Sequence, residues 1–302
     1  MLLPRILTAI ALLAVLIPAL LYPNPLPFAA LGLAMMGAAA WEWGRMNSQF
    51  QTSRWVLVAV TLALCVLGAQ HLNASPGTYT FINSSTPQAS SVSASGLAGQ
   101  APFWLAAAAL WLLGAPWLLK RGAAGWLRLP SGLRLLLGAV LLSTAWLGMM
   151  QLRLIGINTL LSAMCLVWLA DTGAYAAGRT FGKRKLAASI SPGKSWEGAA
   201  GGLLAVLLLA VFWLWLDSAY AAQIDAPSLY SLLQRQWGPL GLGAALFLLT
   251  AMSVVGDLVE SLMKRACGVK DSSQLLPGHG GVLDRIDALL PTFVLAMALL
   301  AM

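Results

Sequence analysis

Nine apolar runs, separated by short polar connections, limit what this chain can fold into more than any other feature. They lie at about Ile6–Tyr22, Phe28–Gly44, Trp55–Gln70, Phe103–Leu119, Leu135–Gln151, Leu154–Tyr175, Gly198–Leu216, Pro239–Gly256 and Ile286–Met302. A helix crosses a hydrocarbon core of ~30 Å in about 20 residues, with a range of ~17–25. A helix also satisfies its backbone polar groups internally, which lipid cannot do. Only 9% of the 302 residues are charged, against about 25% in soluble domains. The runs predict an all-α, polytopic integral membrane protein with about nine transmembrane helices. The second run is the weakest, being short and containing Glu42. The first is followed by Pro-rich YPNPLP rather than an A-x-A-like site, so it reads as a retained span and not a cleaved signal.

Charge placement predicts the orientation. With a cytoplasmic N-terminus, sixteen of the eighteen Lys and Arg residues fall on the cytoplasmic side, all but Arg153 and Arg235, as the positive-inside bias requires. The net charge of +8 then reflects topology, anionic ligands and anionic membrane lipids, and calls for no nucleic-acid partner. The stretch His71–Gln100 has no Lys, Arg, Asp or Glu and predicts an external loop without a fold of its own. Lys120–Arg134 reads as a basic cytoplasmic connection. Cys65, Cys165 and Cys267 show no C-x-x-C spacing, so neither zinc nor a disulfide framework is suggested. No internal repeat is visible, and one membrane domain is expected, with residues 1–150 as transmembrane scaffold and 151–302 as catalytic region.

Two polar segments interrupt the apolar second half, at Asp171–Glu197 and Asp257–Asp287. Ionisable groups at the mouth of a membrane bundle are costly, and their default reading is a functional site. Asp257, Glu260, Ser261 and Lys264 are offset by three, four and seven, which puts them on one helix face. Such a stripe can hold a divalent ion beside a phosphate, and magnesium suits one or two carboxylates plus phosphate oxygens. An internal Glu260–Lys264 pair is the plainer alternative. Asp284 and Asp287 share a face where the last run begins, with Arg285 between them. The preceding PGHGG, around His279, allows a ligand close to backbone N–H groups. In the other segment Arg179, Lys183, Arg184 and Lys185 form a basic cluster, followed by SPGKSWEG with Lys194, Ser195 and Glu197. Ser195 could cap the next helix or contact a nucleotide. Asp171, at the end of an apolar run, needs a partner such as Arg179 or Lys194, or a nucleotide.

The spacing S-x-x-K-R-x-x-x-x-K-D-x-x-x-x-x-P-G-H-G-G-x-x-D-R-x-D over Ser261–Asp287 resembles the signature of the phosphatidate cytidylyltransferases (CDP-diacylglycerol synthases). D-T-x-A-Y-x-x-G-R and S-P-x-K-S-x-E-G resemble the family's second conserved region, with Gly193 where the family more often has Lys. The motif resemblance covers about Leu154–Met302; the first 150 residues match only in hydropathy and span number. It implies CTP + phosphatidate → CDP-diacylglycerol + diphosphate at the cytoplasmic face of the inner membrane, with magnesium and with room for a homo-oligomer. Asp257, Asp284 and Asp287 are then expected at the metal. Lys264, Arg265, His279, Asp284 and Asp287 are expected at the chemistry. Substrate contacts are expected from Asp171, Arg179, Lys194, Ser195, Glu197, Ser261, Lys270, Asp271, Gly280, Gly281 and Arg285. A related CTP-using membrane enzyme with another lipid phosphate or a polyprenol is the nearer alternative. An anionic-solute transporter would show paired broken helices near mid-membrane, which the sequence does not.

Overall fold

The computed structural model describes residues 3–74, 94–224 and 226–302. In chain order the helices are α1 (Leu3–Leu21), α2 (Leu26–Asn47), α3 (Gln51–Ala74), α4 (Ala94–Gly99), α5 (Ala101–Ala109), α6 (Ala115–Arg128), α7 (Ser131–Ile155) and α8 (Ile157–Phe181). A hairpin of β1 (Lys185–Ala187) and β2 (Ser191–Ser195) follows, then α9 (Trp196–Ala219), α10 (Leu229–Ala266), α11 (Leu283–Ile286) and α12 (Leu289–Ala301). One π-helical turn, Leu110–Gly114, joins α5 to α6.

Each of the nine apolar runs lies mainly on helix, with breaks at Gly156 in the sixth and at Asp287–Ala288 in the ninth. Six helical stretches are long and apolar enough to cross a membrane: Gln51–Leu72, Ala101–Arg128, Ser131–Ile155, Ile157–Phe181, Trp196–Ala219 and Leu229–Ala266. The protein is therefore an all-α polytopic membrane protein, and the count of nine is not reached by length and composition. α2 carries Glu42 and Arg45, and α12 has only 13 residues. The expected loop His71–Gln100 falls mainly on 75–93, outside the described residues. At its edges His71–Ala74 belongs to α3 and Ala94–Gly99 is helical.

α7 and α12 form the centre of the bundle. Buried residues run along α7 from Gly138 to Ile155 and along α12 from Leu289 to Ala301. The two approach closely, since a Cβ at Gly148 would sit 3.0 Å from the Phe293 carbonyl oxygen. Small residues bring α8 and α9 together in the same way. A Cβ at Gly202 would lie 2.6 Å from the Ala170 oxygen, and one at Gly198 would lie 2.8 Å from the Ala174 oxygen. Close backbone approach through small residues is how helices associate in lipid, where apolar burial gives no preference for a partner.

α10 begins well before the expected span. It kinks at Gly238, whose φ of 70° suits glycine, and continues past Pro239 to Ala266. Its N-terminus is capped by Ser228, whose hydroxyl accepts from the Ser231 N–H at 3.2 Å. Asp217 at the end of α9 accepts from Ser228 N–H (3.0 Å) and from the Ser228 hydroxyl (2.6 Å). It also accepts from Ser231 (2.5 Å) and Asn158 (2.9 Å), tying α8, α9 and α10 together at one end. The opposite ends of the same three helices carry the candidate site.

Candidate active site

The hairpin places Lys194 opposite α10. Ser195 ends β2 and caps α9, its hydroxyl accepting from the Gly198 N–H at 3.1 Å. Glu197 accepts from the N–H groups of Lys183 (3.1 Å) and Arg184 (3.2 and 3.3 Å), closing the base of the hairpin. Lys194 then reaches across to Asp257 at 2.7 Å. The Ser261 hydroxyl donates to the other Asp257 oxygen at 3.2 Å, as the predicted helix stripe requires. Asp171, Tyr175, Lys194, Ser195 and Asp257 line one cleft of about 410 Å³. Lys194 and Asp257 are the charges that Asp171 feels most among its neighbours. Arg179 is exposed and donates to the Tyr175 hydroxyl at 3.3 Å.

A second cleft of about 590 Å³ adjoins the first and shares Leu186, Ala199 and Val254 with it. Its other walls are nearly all apolar, including Leu119, Ile190, Trp196, Leu203 and Phe247. Arg265 holds the hairpin turn over this region, its Nε donating to the Ile190 oxygen at 3.3 Å.

The PGHGG loop folds over the ends of α10 and α11. Gly278 and Gly280 take φ values of 75° and 85°, open to glycine and strained for other residues. The turn is pinned by Leu276 N–H to Gly280 O and by His279 N–H to Leu276 O, both 2.9 Å. Arg285 donates twice to the His279 oxygen, at 3.1 and 2.5 Å. Asp284 is the hub. Its Oδ1 accepts from Lys264 at 2.6 Å. Its Oδ2 accepts from Ser272 N–H (3.0 Å), the Ser272 hydroxyl (2.9 Å) and Gly281 N–H (2.8 Å). Burial pushes this carboxyl up, but Lys264 and the Gly281 N–H outweigh it and hold the group at about 2. Lys264 also pairs with Glu260, whose side chain is 2% exposed. The plainer alternative for Glu260 thus describes its contact.

The predicted residues form two linked groups. Asp171, Lys194, Ser195 and Asp257 share the polar cleft, while Lys264, Asp284, Gly280, Gly281, His279 and Arg285 form the loop cluster. Asp287 lies close enough to feel Asp257 as a like charge and Lys264 as an opposite one. Gly256 lets the Asp287 backbone pack against α10, since a Cβ there would collide with the Asp287 oxygen and lie 2.9 Å from Pro291 Cγ. Lys270 and Asp271 are exposed. Among the described residues no three His, Cys, Asp or Glu side chains form a ready-made metal cage. The donor set still fits magnesium, which takes few protein carboxylates and completes its octahedron with phosphate and water. Asp257, 30% exposed to the cleft, has more free coordination than Asp284, whose oxygens already take four donors.

Sequence reasoning missed the first-half contribution. Glu42 on α2 accepts from the Ser272 hydroxyl (3.0 Å), Val282 N–H (2.9 Å), Leu283 N–H (2.7 Å) and the Ser273 hydroxyl. Arg45, one turn on, donates to the Ser272 oxygen. The one signal was the charge itself, an acid inside an apolar run.

This is a polytopic membrane protein whose charged groups converge on a polar cleft beside an apolar one. The sequence profile of the cytidylyltransferase family matches residues 3–302, and the chain belongs to that family. It is 37% identical over 302 residues to a phosphatidate cytidylyltransferase of Pseudomonas aeruginosa, covering 99% of this chain and 97% of that protein. A Haemophilus influenzae protein of the same name is 49% identical over 134 residues, 44% of this chain and 42% of that one. One from Bacillus subtilis is 42% identical over 135 residues, 45% of this chain and 44% of its own. The likeness thus extends through the first 150 residues, where the motifs alone stop.

Proposed function

We infer that this chain is a nucleotidyltransferase joining CTP and phosphatidate to give CDP-diacylglycerol and diphosphate. The carrying observation is the pair of adjoining clefts. One is lined by Asp171, Lys194 and Asp257 and suits a nucleotide's phosphates; the other is apolar and suits the acyl chains of a lipid acceptor. A lipid phosphate seated at their shared edge would meet the nucleotide there.

A phosphate monoester has its second pKa near ~6, so phosphatidate is largely a dianion at neutral pH and is already a nucleophile. No covalent intermediate is needed. The chain's own task is to bring two polyanions together and to stabilise charge on the departing diphosphate, by preorganised cations. Lys194 and Lys264 supply that charge, with Arg179, Lys270 and Arg285 as further cations within reach of the exposed side. The PGHGG backbone and His279 frame the reacting phosphorus. Asp257 and Asp287, with Asp284 behind them, would hold magnesium, which when bound neutralises phosphate oxygens. Nine spans, a cytoplasmic N-terminus and a site facing the cytoplasm of the inner membrane complete the proposal.

Purified protein in detergent, given labelled CTP and a panel of phosphatidate, other lipid phosphates and polyprenols, tests the assignment. Transfer to phosphatidate above the other acceptors is expected, with loss of at least about 100-fold in Asp257→Asn. Preferred transfer to a polyprenol or another lipid phosphate would overturn it.

A further inference from the structure

We propose that Glu42 of α2 is a positioning residue for the reaction. Through Ser272 it fixes Asp284, and with Asp284 the ammonium of Lys264. The proposal rests on the functional reading above, in which Lys264 meets the phosphates. Glu42 is 0% exposed and lies more than two hundred residues from its partners in the sequence. Its Oε1 accepts from the Ser273 hydroxyl and from Val282 N–H, and its Oε2 from the Ser272 hydroxyl and from Leu283 N–H. Ser272 and Ser273 enter the PGHGG loop, and Val282 and Leu283 leave it. One carboxylate therefore staples both ends of the loop. Gly281 is cut to this fit, since a Cβ there would lie 2.6 Å from Glu42 Oε1.

Burying a carboxylate in an apolar bundle is costly unless its lone pairs are met. Here they are met by loop donors alone. Among the described residues no Lys, Arg or His forms an ion pair with Glu42. The link to the chemistry is one hydroxyl, whose single proton is shared between the two carboxylates while the Ser272 N–H serves Asp284 alone. Ser272 Oγ lies 3.0 Å from Glu42 Oε2 and 2.9 Å from Asp284 Oδ2, and its N–H also donates to Asp284. Asp284 in turn holds Lys264. Any movement of the staple is passed to the ammonium in three contacts, Glu42–Ser272, Ser272–Asp284 and Asp284–Lys264.

Glu42→Gln keeps the size of the side chain but turns an NH₂ toward one donor pair. Each pair contains a backbone N–H that cannot rotate away. Misplacement by about 1 Å costs on the order of 100-fold in rate. Purified full-length E42Q should lose about that in kcat, while KM for CTP and for phosphatidate stays within about threefold of wild type. Ser272→Ala should lose about tenfold, and adding it to E42Q should cost less than about twofold more, because both act through one hydroxyl. Amide hydrogen exchange at Val282 and Leu283, measured without substrate, should quicken in E42Q. Unchanged kcat per folded molecule in E42Q, or losses that simply multiply in the double variant, would overturn the proposal. Should E42Q fail to fold, S272A decides: a tenfold kcat loss at an unchanged melting temperature supports the proposal, and wild-type kcat overturns it. Wild-type protein that transfers nothing to phosphatidate overturns the functional reading as well, whereas wild-type turnover beside an unimpaired E42Q overturns this proposal alone.

Discussion

Asp284 shows how one carboxylate can be legible in type and not in use. Its spacing from Asp287 and its place after PGHGG mark it in the sequence. Its four donors, from α10, the loop and Ser272, are visible only once the chain is folded. Those donors hold it at about 2 against an ordinary value of 3.8. A depressed carboxyl stabilises the fold above its ordinary value and loses that contribution as pH falls from about 4 through about 2. The shift corresponds to about 2 kcal/mol. Melting curves of wild type and Asp284→Asn should therefore differ most at pH 5 and converge toward pH 2. A gap that stays constant across this range would show that the Asp284 contacts do not depend on its charge. Glu42 was the opposite case. Its position inside a run of Ala, Met and Trp made it look like a flaw in a span, because hydropathy sees a charge but not the partner that arrives from far along the chain.

At the level of elements, the apolar runs foretold every long helix, since the backbone of a lipid-embedded segment has no other partner than itself. Their ends were less visible. α10 extends on both sides of its apolar core because Ser228 caps it early and the polar stripe Asp257–Lys264 continues the same helix beyond the lipid-like part. The β1–β2 hairpin leaves no mark in the sequence, having too few residues to show a period of two, and Glu197 closes it through contacts thirteen and fourteen residues away. The α8–α9 seam was present in the sequence as Gly198 and Gly202 but carried no mark of its partner. Gly202→Leu puts a branched side chain where even a Cβ would lie 2.6 Å from the Ala170 oxygen. It should destabilise the protein by about 1–3 kcal/mol or more through overpacking, read as a fall in melting temperature in detergent. An unchanged melting point would mean that α8 and α9 do not pack through this face.

For the whole molecule, the second half's motifs and the first half's hydropathy suggested a reaction centre resting on a scaffold. Glu42 and Arg45 instead reach from α2 into the loop of residues 272–283, and the family likeness runs from end to end. The split of basic residues predicts the orientation of this assembly. A cysteine introduced at Ser90 should react with a membrane-impermeant thiol reagent in intact cells, and one at Ser189 should not; the reverse pattern would put the clefts on the side without CTP. The central claim is a direct transfer between two polyanions held in adjoining clefts, with no residue of the chain acting covalently. The stereochemistry of transfer from CTP chirally labelled at the α-phosphorus tests it most directly. A single displacement predicts inversion at that phosphorus in the CDP-diacylglycerol product. Net retention would contradict it, and would place a covalent nucleotidyl adduct on a side chain such as His279 or Ser261.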